Sequence, residues 1–573
     1  MSLLDWAVLV CSTIAIVGYG IWKTTGSKDI EGYLLGGNEA KWWTVGLSVM
    51  ATQASAITFL STPGQAYNDG MGFAQFYLML PVAMIIICIT FIPMFYKLKV
   101  YTAYEFLEGR FDLKTRSLTA FLFLVQRGLA CGITIYAPAL VLSSIMGWNL
   151  NLTTLIIGLI AIAYTVSGGT KAVHVTHKLQ MTIIFIGLII IFFLLLSYLP
   201  DDYSFREVLQ IANANDKLEV IDTSFNWKDR YNIWTSLAAV FLFLSYFGTD
   251  QSQVQRYISG QSIRASRLGL IMNGMLKLPL QFFILFIGVL VFIFFQFTKP
   301  PIFFNEKVSE KIYASDYADA YKEKEKDLST LFDERQALYG EYLSAKQSKN
   351  KNQIASVQER IRLSSDREKS LRTDAKDIIT SFDNTIETND KDYIFLNFIL
   401  NYLPKGLVGL LLAMIFFAAM SSTASELNAL GSTTTIDIYK RSINQNGDDA
   451  HYLKASKLLT LMWGVLAMLF AAFGTLAENL IQFVNIVGSV FYGTILGIFL
   501  VAFYLKWIKA NAVFFAALVA EFIVVYLWYN FIYVEEQFSF LWLNLIGTVL
   551  TVVFASVLSI FLKEEENLVV QNN

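Results

Sequence analysis

The chain has 573 residues, of which 55% are hydrophobic and 16% are charged, and its formal net charge is −2. Apolar stretches of about 20 residues, the length that crosses a bilayer, recur along nearly the whole sequence. This composition excludes a soluble globular protein and predicts an all-α integral membrane protein surrounded by lipid. No nucleic-acid partner is expected.

Thirteen apolar segments are candidate membrane spans, and we number them zero to twelve in chain order. They lie near residues 3–22, 42–67, 73–97, 117–146, 152–167, 178–199, 231–257, 268–298, 394–438, 456–475, 479–506, 511–533 and 539–562. The first begins almost at Met1 without a basic leader or a small-residue cleavage pattern, so we expect it to remain as a membrane helix.

Lysine and arginine collect in alternate loops between these spans. The five basic loops contain Lys97, Lys99, Arg110, Lys114 and Arg116; Lys171 and Lys178; Arg256, Arg264 and Arg267; Lys440, Arg441, Lys454 and Lys457; and Lys506 and Lys509. With thirteen spans all five fall on one side, which the positive-inside tendency assigns to the cytoplasm. We therefore expect a protein of the plasma membrane or bacterial inner membrane, with its amino terminus outside and its carboxyl terminus in the cytoplasm.

Residues 305–391 form a charged insert between spans seven and eight, with no proline and a single glycine, Gly340. Apolar residues recur at helical spacing in two runs, at 313–332 and 354–378, on either side of the polar stretch SKNKN at 348–352. This pattern predicts two antiparallel helices joined by a turn, and the parity of the spans places them on the extracytoplasmic side. Two interpretations stay open: a solvated hairpin that packs on its own membrane domain, or a docking site for a protein partner.

Span eight carries a cluster of hydroxyl side chains near its middle, at Ser421, Ser422, Thr423 and Ser425. Hydrocarbon penalises unpaired hydroxyls, so such a cluster usually faces a polar ligand or another helix. Neutral hydroxyl and carbonyl oxygens suit a partly dehydrated Na⁺, because they replace its hydration oxygens without trapping the ion as full carboxylates would. This span is therefore the best indication of what the protein does.

Motifs in several spans resemble the sodium/solute symporter family, which includes sodium/glucose cotransporters and the iodide, monocarboxylate and multivitamin symporters. The run SSTASELN at 421–428, followed by TIDIYK at 435–440, is similar to the eighth core helix of that family. Further matches are GLSVMATQASAITFLSTPGQAY at 46–67, IYAPALVLSSIMGWNL at 135–150, YTVSGGTKAV at 164–173 and LKLP at 276–279. The resemblance extends from about residue 40 to residue 510, apart from the insert.

This resemblance implies a LeuT-type fold, in which spans one to five and six to ten are inverted repeats and the first helix of each repeat is discontinuous. The sequence supports the two breaks independently, because residues 51–55 read ATQAS in span one and residues 245–250 read SYFGTD in span six. Unwound backbone at membrane depth is tolerated only beside a cavity or within protein. The expected units are an extra helix and loop (1–40), the first repeat with the start of the second (41–304), the insert (305–391), the rest of the second repeat (392–510), and two final helices with a cytoplasmic tail (511–573).

The resemblance also implies a sodium site. Its ligands would be the backbone carbonyls of Ala51 and Ala54 in span one, the carbonyl of Ala418 in span eight, and the hydroxyls of Ser421 and Ser422. Such a site exists only when spans one and eight are held together, so Na⁺ binding would bias a conformational equilibrium. The alternative is that these hydroxyls bond back to their own helix.

One departure from the family concerns a second sodium site. Relatives that have this site carry aspartate in a Val-Trp-Thr-Asp motif, whereas this chain reads HVTH, from His174 to His177. Imidazole is a poor substitute for a carboxylate beside Na⁺, so the second site is expected to be absent or altered. Glu426, four residues after Ser422 on the same helical face, is a candidate replacement ligand, and an ion-paired structural glutamate is the alternative.

Arg127 in span three is the other charged residue predicted to be buried. It lies about ten residues, or roughly 15 Å of helix, from the cytoplasmic start of its span, and Glu426 lies about as far from the cytoplasmic end of span eight. We predict an intramembrane ion pair that holds the inner half of the protein closed. Binding of an anionic substrate by Arg127, or snorkelling of Arg127 to the interface, are the alternatives.

The sequence limits the substrate only to a small organic solute. At the positions where sugar-transporting relatives use Glu, Asn and Gln, this chain has Tyr77, Phe243 and Asn485, although Lys277 and Tyr246 match a lysine and an inner-gate tyrosine of those relatives. The residues expected around the cavity combine aromatic walls with a few polar groups, as is typical of small-ligand sites. They are Gln53, Thr58, Phe76, Tyr77, Tyr246, Phe247, Lys277, Gln281 and Asn485.

We therefore predict a Na⁺-coupled secondary active symporter that imports a monocarboxylate-like, vitamin-like or sugar solute by alternating access. The sequence has no GxxxxGK[ST] phosphate loop and no zinc or nucleophile constellation, so neither ATP-driven transport nor an enzyme is indicated. The alternative is a nutrient-sensing receptor or channel built on a transporter scaffold, with residues 305–391 contacting a partner.

Overall fold

The structure is a computed structural model, and it describes residues 1–24, 30–98, 100–384, 386–471, 480–535 and 537–562. The helices are α1 (Leu3–Thr24), α2 (Ile30–Leu35), α3 (Trp42–Gln53), α4 (Ala56–Asp69), α5 (Ala74–Tyr77), α6 (Leu80–Ile89), α7 (Phe91–Leu98), α8 (Glu105–Arg110), α9 (Leu113–Met146), α10 (Leu150–Ser197), α11 (Phe205–Ala214), α12 (Ile233–Gly248), α13 (Gln251–Ile258), α14 (Ile263–Phe297), α15 (Glu306–Tyr313), α16 (Ala318–Gln347), α17 (Lys351–Phe382), α18 (Lys391–Tyr402), α19 (Leu407–Thr433), α20 (Asp449–Phe470), α21 (Leu480–Tyr504), α22 (Ala510–Leu527) and α23 (Trp542–Phe561). Within these described ranges the only β-type pairing outside the helices is a single bridge between Ala40 and Gly260.

Most of the predicted spans fall on apolar helices, although spans four and five both lie within α10, which leaves helical geometry at Gly169 (φ 56°, ψ −159°). In the described part of the chain nine helices are long and apolar enough to cross a bilayer, and two bent pairs and two shorter apolar segments, Leu3–Ile16 and Leu150–Ala163, add to them. The protein is therefore a multi-pass membrane protein, while the number of spans stays a prediction. Residues 472–479, which close predicted span nine and begin span ten, lie outside the described residues.

Both predicted helix breaks are confirmed. Helices α3 and α4 meet at 61° across Ala54 and Ser55, and Ala54 has φ −80° and ψ 67°, outside helical geometry. Helices α12 and α13 meet at 59°, and the side chain of Asp250 caps α13 by accepting a hydrogen bond from the Ser252 amide at 2.9 Å. Each break leaves backbone groups without helical partners in the interior of the bundle, where a ligand can use them.

Span eight differs from its predicted limits. The expected helix over 394–438 is divided, because Lys391–Tyr402 forms the separate helix α18 and the spanning helix α19 begins only at Leu407. Pro404 disfavours helical geometry in the residue before it, and Gly406 has φ +91°, which stops a continuous helix at this point. Asp5 of α1 then accepts hydrogen bonds from the amides of Gly406 and Gly409, at 2.6 and 3.2 Å, so the extra amino-terminal helix holds the start of α19.

The charged insert contains the short helix α15 and an antiparallel pair, α16 and α17, joined at 348–350. Ion pairs of Arg335 with Glu368 at 2.6 Å and of Lys324 with Asp374 at 2.8 Å connect the two long helices. We call α16 and α17 with their connection the hairpin. It packs on the membrane domain, since Arg335 donates to Gln296 at the end of α14, at 3.1 Å.

Candidate functional site

A cavity of about 100 Å³ lies where the two helix breaks approach each other. We call it the central cavity. Its lining comprises Thr52, Gln53, Ser55, Ile57, Thr58, Phe76, Tyr77, Arg127, Thr134, Leu242, Phe243, Tyr246, Phe247, Lys277, Ser422, Glu426, Ile481, Val484, Asn485 and Tyr492. Eight of the nine residues expected around a substrate are in this set, and the exception is Gln281, which is buried one turn beyond Lys277 on α14. The eight come from α3, α4, α5, α12, α14 and α21, so the fold brings together segments that are far apart in sequence.

The two serines of the proposed sodium site lie against the break between α3 and α4. Ser421 Oγ donates to the Ala51 carbonyl at 3.0 Å and to the Ala418 carbonyl at 2.9 Å. Ser422 Oγ donates only within its own helix, to the carbonyls of Ala418 and Ala419, both at 3.1 Å. An oxygen of α19 and an oxygen of α3 therefore already share a hydrogen bond, and this set of neutral oxygens fits Na⁺. To bind the ion, the Ser421 hydroxyl would keep its proton and rotate so that its oxygen lone pairs face the ion.

His177 of α10 lies beside these serines. One ring nitrogen, Nδ1, is 3.0 Å from Ser48 Oγ, and the other, Nε2, is 3.2 Å from the Ser421 carbonyl oxygen. The imidazole thus joins α3, α10 and α19 through neutral hydrogen bonds at the position where some relatives have an aspartate. Both of its ring nitrogens are used in these contacts, and the absence of a second sodium site stays a prediction.

Arg127 and Glu426 are in contact within the bundle. Arg127 Nη1 lies 3.0 Å from Glu426 Oε1, and only 2% of the arginine side chain is exposed. Glu426 Oε2 also accepts a hydrogen bond from Thr134 at 2.8 Å. Both carboxylate oxygens of Glu426 are thus occupied by neighbours on α9, an arrangement that favours the ion-paired glutamate over a replacement sodium ligand.

Sequence reasoning missed two further members of this network. Arg127 Nη2 contacts the carboxylate of Asp250 and donates to Tyr492 Oη at 2.6 Å, and Tyr492 donates to Asp250 at 3.1 Å. The arginine also lies over the Tyr246 ring, 5.3 Å from its centroid. Asp250 was visible in the sequence only as part of a helix break, and the signal that could have identified it is its charge at membrane depth. The network joins α9, α13, α19 and α21.

Lys277 of α14 is a different kind of buried charge. It is 1% exposed, lines the central cavity, and has its ammonium 5.9 Å from the centroid of the Tyr77 ring. Across the part of the chain that the structure describes, it forms no ion pair with a carboxylate. A cation without a counterion at this depth is costly.

Two broken helices around one buried polar cavity define a multi-pass membrane protein of the discontinuous-helix transporter class. The model of the sodium:solute symporter family matches residues 33–318 and 381–520, and the chain belongs to this family. The resemblance seen in the sequence is thereby confirmed. Most of the hairpin, residues 319–380, lies outside the matched ranges.

Individual relatives agree with this assignment. The chain is similar to the human sodium/iodide cotransporter, at 28% identity over 52% of this chain and 46% of that protein, and to bovine sodium-coupled monocarboxylate transporter 2, at 29% identity over 47% and 44%. It thus spans less than half the length of these two relatives. The sodium/sialic acid symporter SiaT of Proteus mirabilis is 25% identical over 89% of this chain and 86% of that protein.

A solved structure of a Na⁺-coupled sialic acid symporter in a substrate-bound, outward-open state has the same fold. The likeness covers 98% of both chains with a TM-score of 0.74 at 23% identity. The predicted LeuT-type fold with discontinuous helices is therefore confirmed.

Proposed function

We propose that the protein is a sodium-coupled secondary active symporter, not an enzyme, that imports a small organic carboxylate by alternating access. The observation that carries the solute class is Lys277, a buried cation that faces the central cavity with no acidic partner in the described part of the chain. A carboxylate would supply the missing charge, whereas a neutral sugar would leave it uncompensated. Phe76, Tyr77 and Phe243 supply the apolar wall for the rest of the solute.

Sodium coupling follows from where the proposed ligands lie. The carbonyls of Ala51 and Ala54 belong to the break in α3 and α4, while Ala418, Ser421 and Ser422 belong to α19. Na⁺ can bind all five oxygens only while the two elements are together, so the ion stabilises the state in which this side of the cavity is formed. An inward membrane potential of 100 mV adds about 2.3 kcal/mol per charge carried, or roughly fiftyfold accumulation.

The arginine network would close the cytoplasmic side of the central cavity. We infer this side from the basic loops, which place the amino terminus outside and the carboxyl terminus in the cytoplasm. Arg127 holds α9, α13, α19 and α21 together at the wall of the cavity through Asp250, Glu426 and Tyr492, and Tyr246, whose ring lies next to the guanidinium, lines the same cavity. Release to the cytoplasm would require these contacts to part.

Uptake into proteoliposomes tests the proposal. Labelled carboxylates and their neutral analogues are offered with an inward Na⁺ gradient or with K⁺ in its place. We expect Na⁺-dependent accumulation of a carboxylate, and we expect the Ser421→Ala/Ser422→Ala variant to need a markedly higher Na⁺ concentration for half-maximal uptake. Ser432→Ala is the matched control, because Ser432 is buried on the same helix and, among the described residues, its hydroxyl bonds only to the Ala429 carbonyl, at 3.0 Å.

Two outcomes would contradict the proposal. Unchanged Na⁺ dependence in the double variant would refute the sodium site. Saturable binding without accumulation would favour the nutrient-sensing receptor, in which the exposed side chains of Tyr313, Tyr317 and Leu363 of the insert would contact a protein partner.

A further inference from the structure

A second cavity, of about 250 Å³, lies between the hairpin and the membrane domain. We call it the outer cavity. The membrane domain contributes Tyr67, Asn68 and Asp69 at the end of α4, the turn 214–217, and Phe292 of α14, and the hairpin contributes Arg335, Arg362, Ser365, Asp366, Glu368, Lys369 and Arg372. All seven hairpin residues fall within 319–380, the stretch that the family model does not match. The hairpin wall of the outer cavity therefore lies outside the ranges that the family model matches, while the membrane-domain wall lies within them.

Its side chains carry more positive than negative charge. Five cationic residues line it against four acidic ones, and a single carboxylate, Glu368, is shared by Arg335 at 2.6 Å and Arg372 at 2.9 Å. Burial by itself opposes ionisation, yet Arg372 and Arg335 lower the pKa of Glu368 to about 2. Glu368 therefore stays charged, and among the described residues it is the one carboxylate in ion-pair contact with both arginines.

Two donors of this cavity have spare capacity. Arg372 uses Nε on Glu368 and Nη1 on the carbonyls of Pro301 and Ile302, at 3.0 and 2.8 Å, while its buried Nη2 has no hydrogen-bond partner within the described ranges. Buried donors are normally paired, so an unpaired guanidinium nitrogen beside a cavity indicates a missing acceptor.

Lys217 is the second of these donors. Its ammonium donates to the Asn68 carbonyl and lies 4.8 Å from the centroid of the Phe292 ring, and no ion pair to it occurs among the residues that the structure describes. Burial lowers the pKa of Lys217 to about 8, so the amine is still mostly protonated at neutral pH. The lysine and Arg372 come from the two opposite walls of the cavity.

We propose that the outer cavity is a binding site for a small carboxylate anion, held between Lys217 of the membrane domain and Arg372 of the hairpin. A carboxylate has two acceptor oxygens, which is what one ammonium and one free guanidinium nitrogen can use together. Asn215 and Ser365, which share a hydrogen bond of 3.3 Å at the wall, would contact hydroxyl groups of the anion. The site adjoins the last turn of α4, roughly 15 Å along that helix from Thr58 of the central cavity.

Gluconate, a hydroxylated carboxylate, is a suitable probe for isothermal titration calorimetry with the full chain in nanodiscs. The Lys277→Met background without Na⁺ removes the Lys277 charge from the central cavity, so binding there is weakened, and any binding that remains there does not respond to changes at Lys217. We expect saturable gluconate binding on this background and none for neutral glucose. Lys217→Met should weaken it about tenfold or more, as the loss of a charged hydrogen bond does, while Lys346→Met, whose lysine lies over Tyr342 outside the cavity, should leave it unchanged.

A second variant keeps the test decisive if Lys217→Met does not fold. Lys369 lines the cavity from an exposed position on α17, so Lys369→Glu should leave the fold intact and still weaken gluconate binding. Three results would overturn the proposal. The first is the absence of saturable gluconate binding on the Lys277→Met background, and the second is an unchanged affinity for gluconate when Lys217→Met or Lys369→Glu is added to that background. The third is glucose binding as tight as gluconate binding. None of these results depends on transport, so the proposed function is tested separately.

Discussion

Replacing Arg127 by methionine should destabilise the protein more than replacing either of its acidic partners. At the 3.0 Å separation of Arg127 and Glu426 and an effective dielectric constant of about 20, one ion pair is worth about 5–6 kcal/mol of Coulomb attraction, before each ion's desolvation is subtracted. Removing one partner of a buried pair commonly costs about 3–5 kcal/mol. Arg127→Met leaves two carboxylates, Asp250 and Glu426, without a cation, so its cost should reach or exceed the upper end of that range.

The single acidic variants should be milder, because in each of them the arginine keeps one carboxylate. Glu426→Gln leaves Arg127 paired with Asp250, and Asp250→Asn leaves it paired with Glu426 while the amide oxygen can still cap α13. The triple variant, Arg127→Met with both acids neutralised, should recover much of the stability lost in Arg127→Met. An ion pair limited to Arg127 and Glu426 would instead predict recovery in the double variant.

Thermal unfolding of nanodisc-embedded protein, followed by intrinsic fluorescence, ranks these variants. The expected order of stability is wild type, then the two single acidic variants, then the triple variant, with Arg127→Met lowest. If Arg127→Met were no less stable than Glu426→Gln, the three charges would not form one network, and Arg127 would again be a candidate for binding the substrate.

Three other predictions follow from the geometry. His177 uses both ring nitrogens in hydrogen bonds at the position where a second sodium site needs a carboxylate. The ratio of charge flux to solute flux in proteoliposomes should therefore correspond to one Na⁺ per solute, and a reproducible value of two would disprove this. Lys277→Met should raise KM for a carboxylate about tenfold or more and leave a neutral analogue unaffected, and an equal loss for both would show that Lys277 acts only in packing. The pKa of Glu368 is about 2 in the folded hairpin, against 4.5 for the free side chain. About 3 kcal/mol of stability is therefore present above pH 4.5 and is lost as the pH falls towards 2. Limited proteolysis of the hairpin at a series of pH values should show this loss in wild type and in the surface-pair control Glu341→Gln, but not in Glu368→Gln.

The sequence determined the membrane class, the positions of the apolar helices, the two helix breaks and the cluster around Ser421, because these are local properties. Span length follows from runs of apolar residues, and a break follows from small and polar residues in the middle of a span. Even the misplaced start of span eight had a local signal, since Pro404 and Gly406 stand where the helix stops.

Tertiary structure decided which charges meet and what lines each cavity. Asp250 joins Arg127 across 123 residues and Tyr492 joins it across 365, and no periodicity in the sequence relates such distant positions. Gln281 is one turn from Lys277 on the same face of α14, yet of these two only Lys277 lines the central cavity, because the packing of the neighbouring helices decides at which level along that face the cavity lies. The outer cavity forms where the hairpin packs against α4 and the 214–217 turn. These segments are far apart in the sequence, so their contact is decided by packing in three dimensions and not by a local pattern of residues.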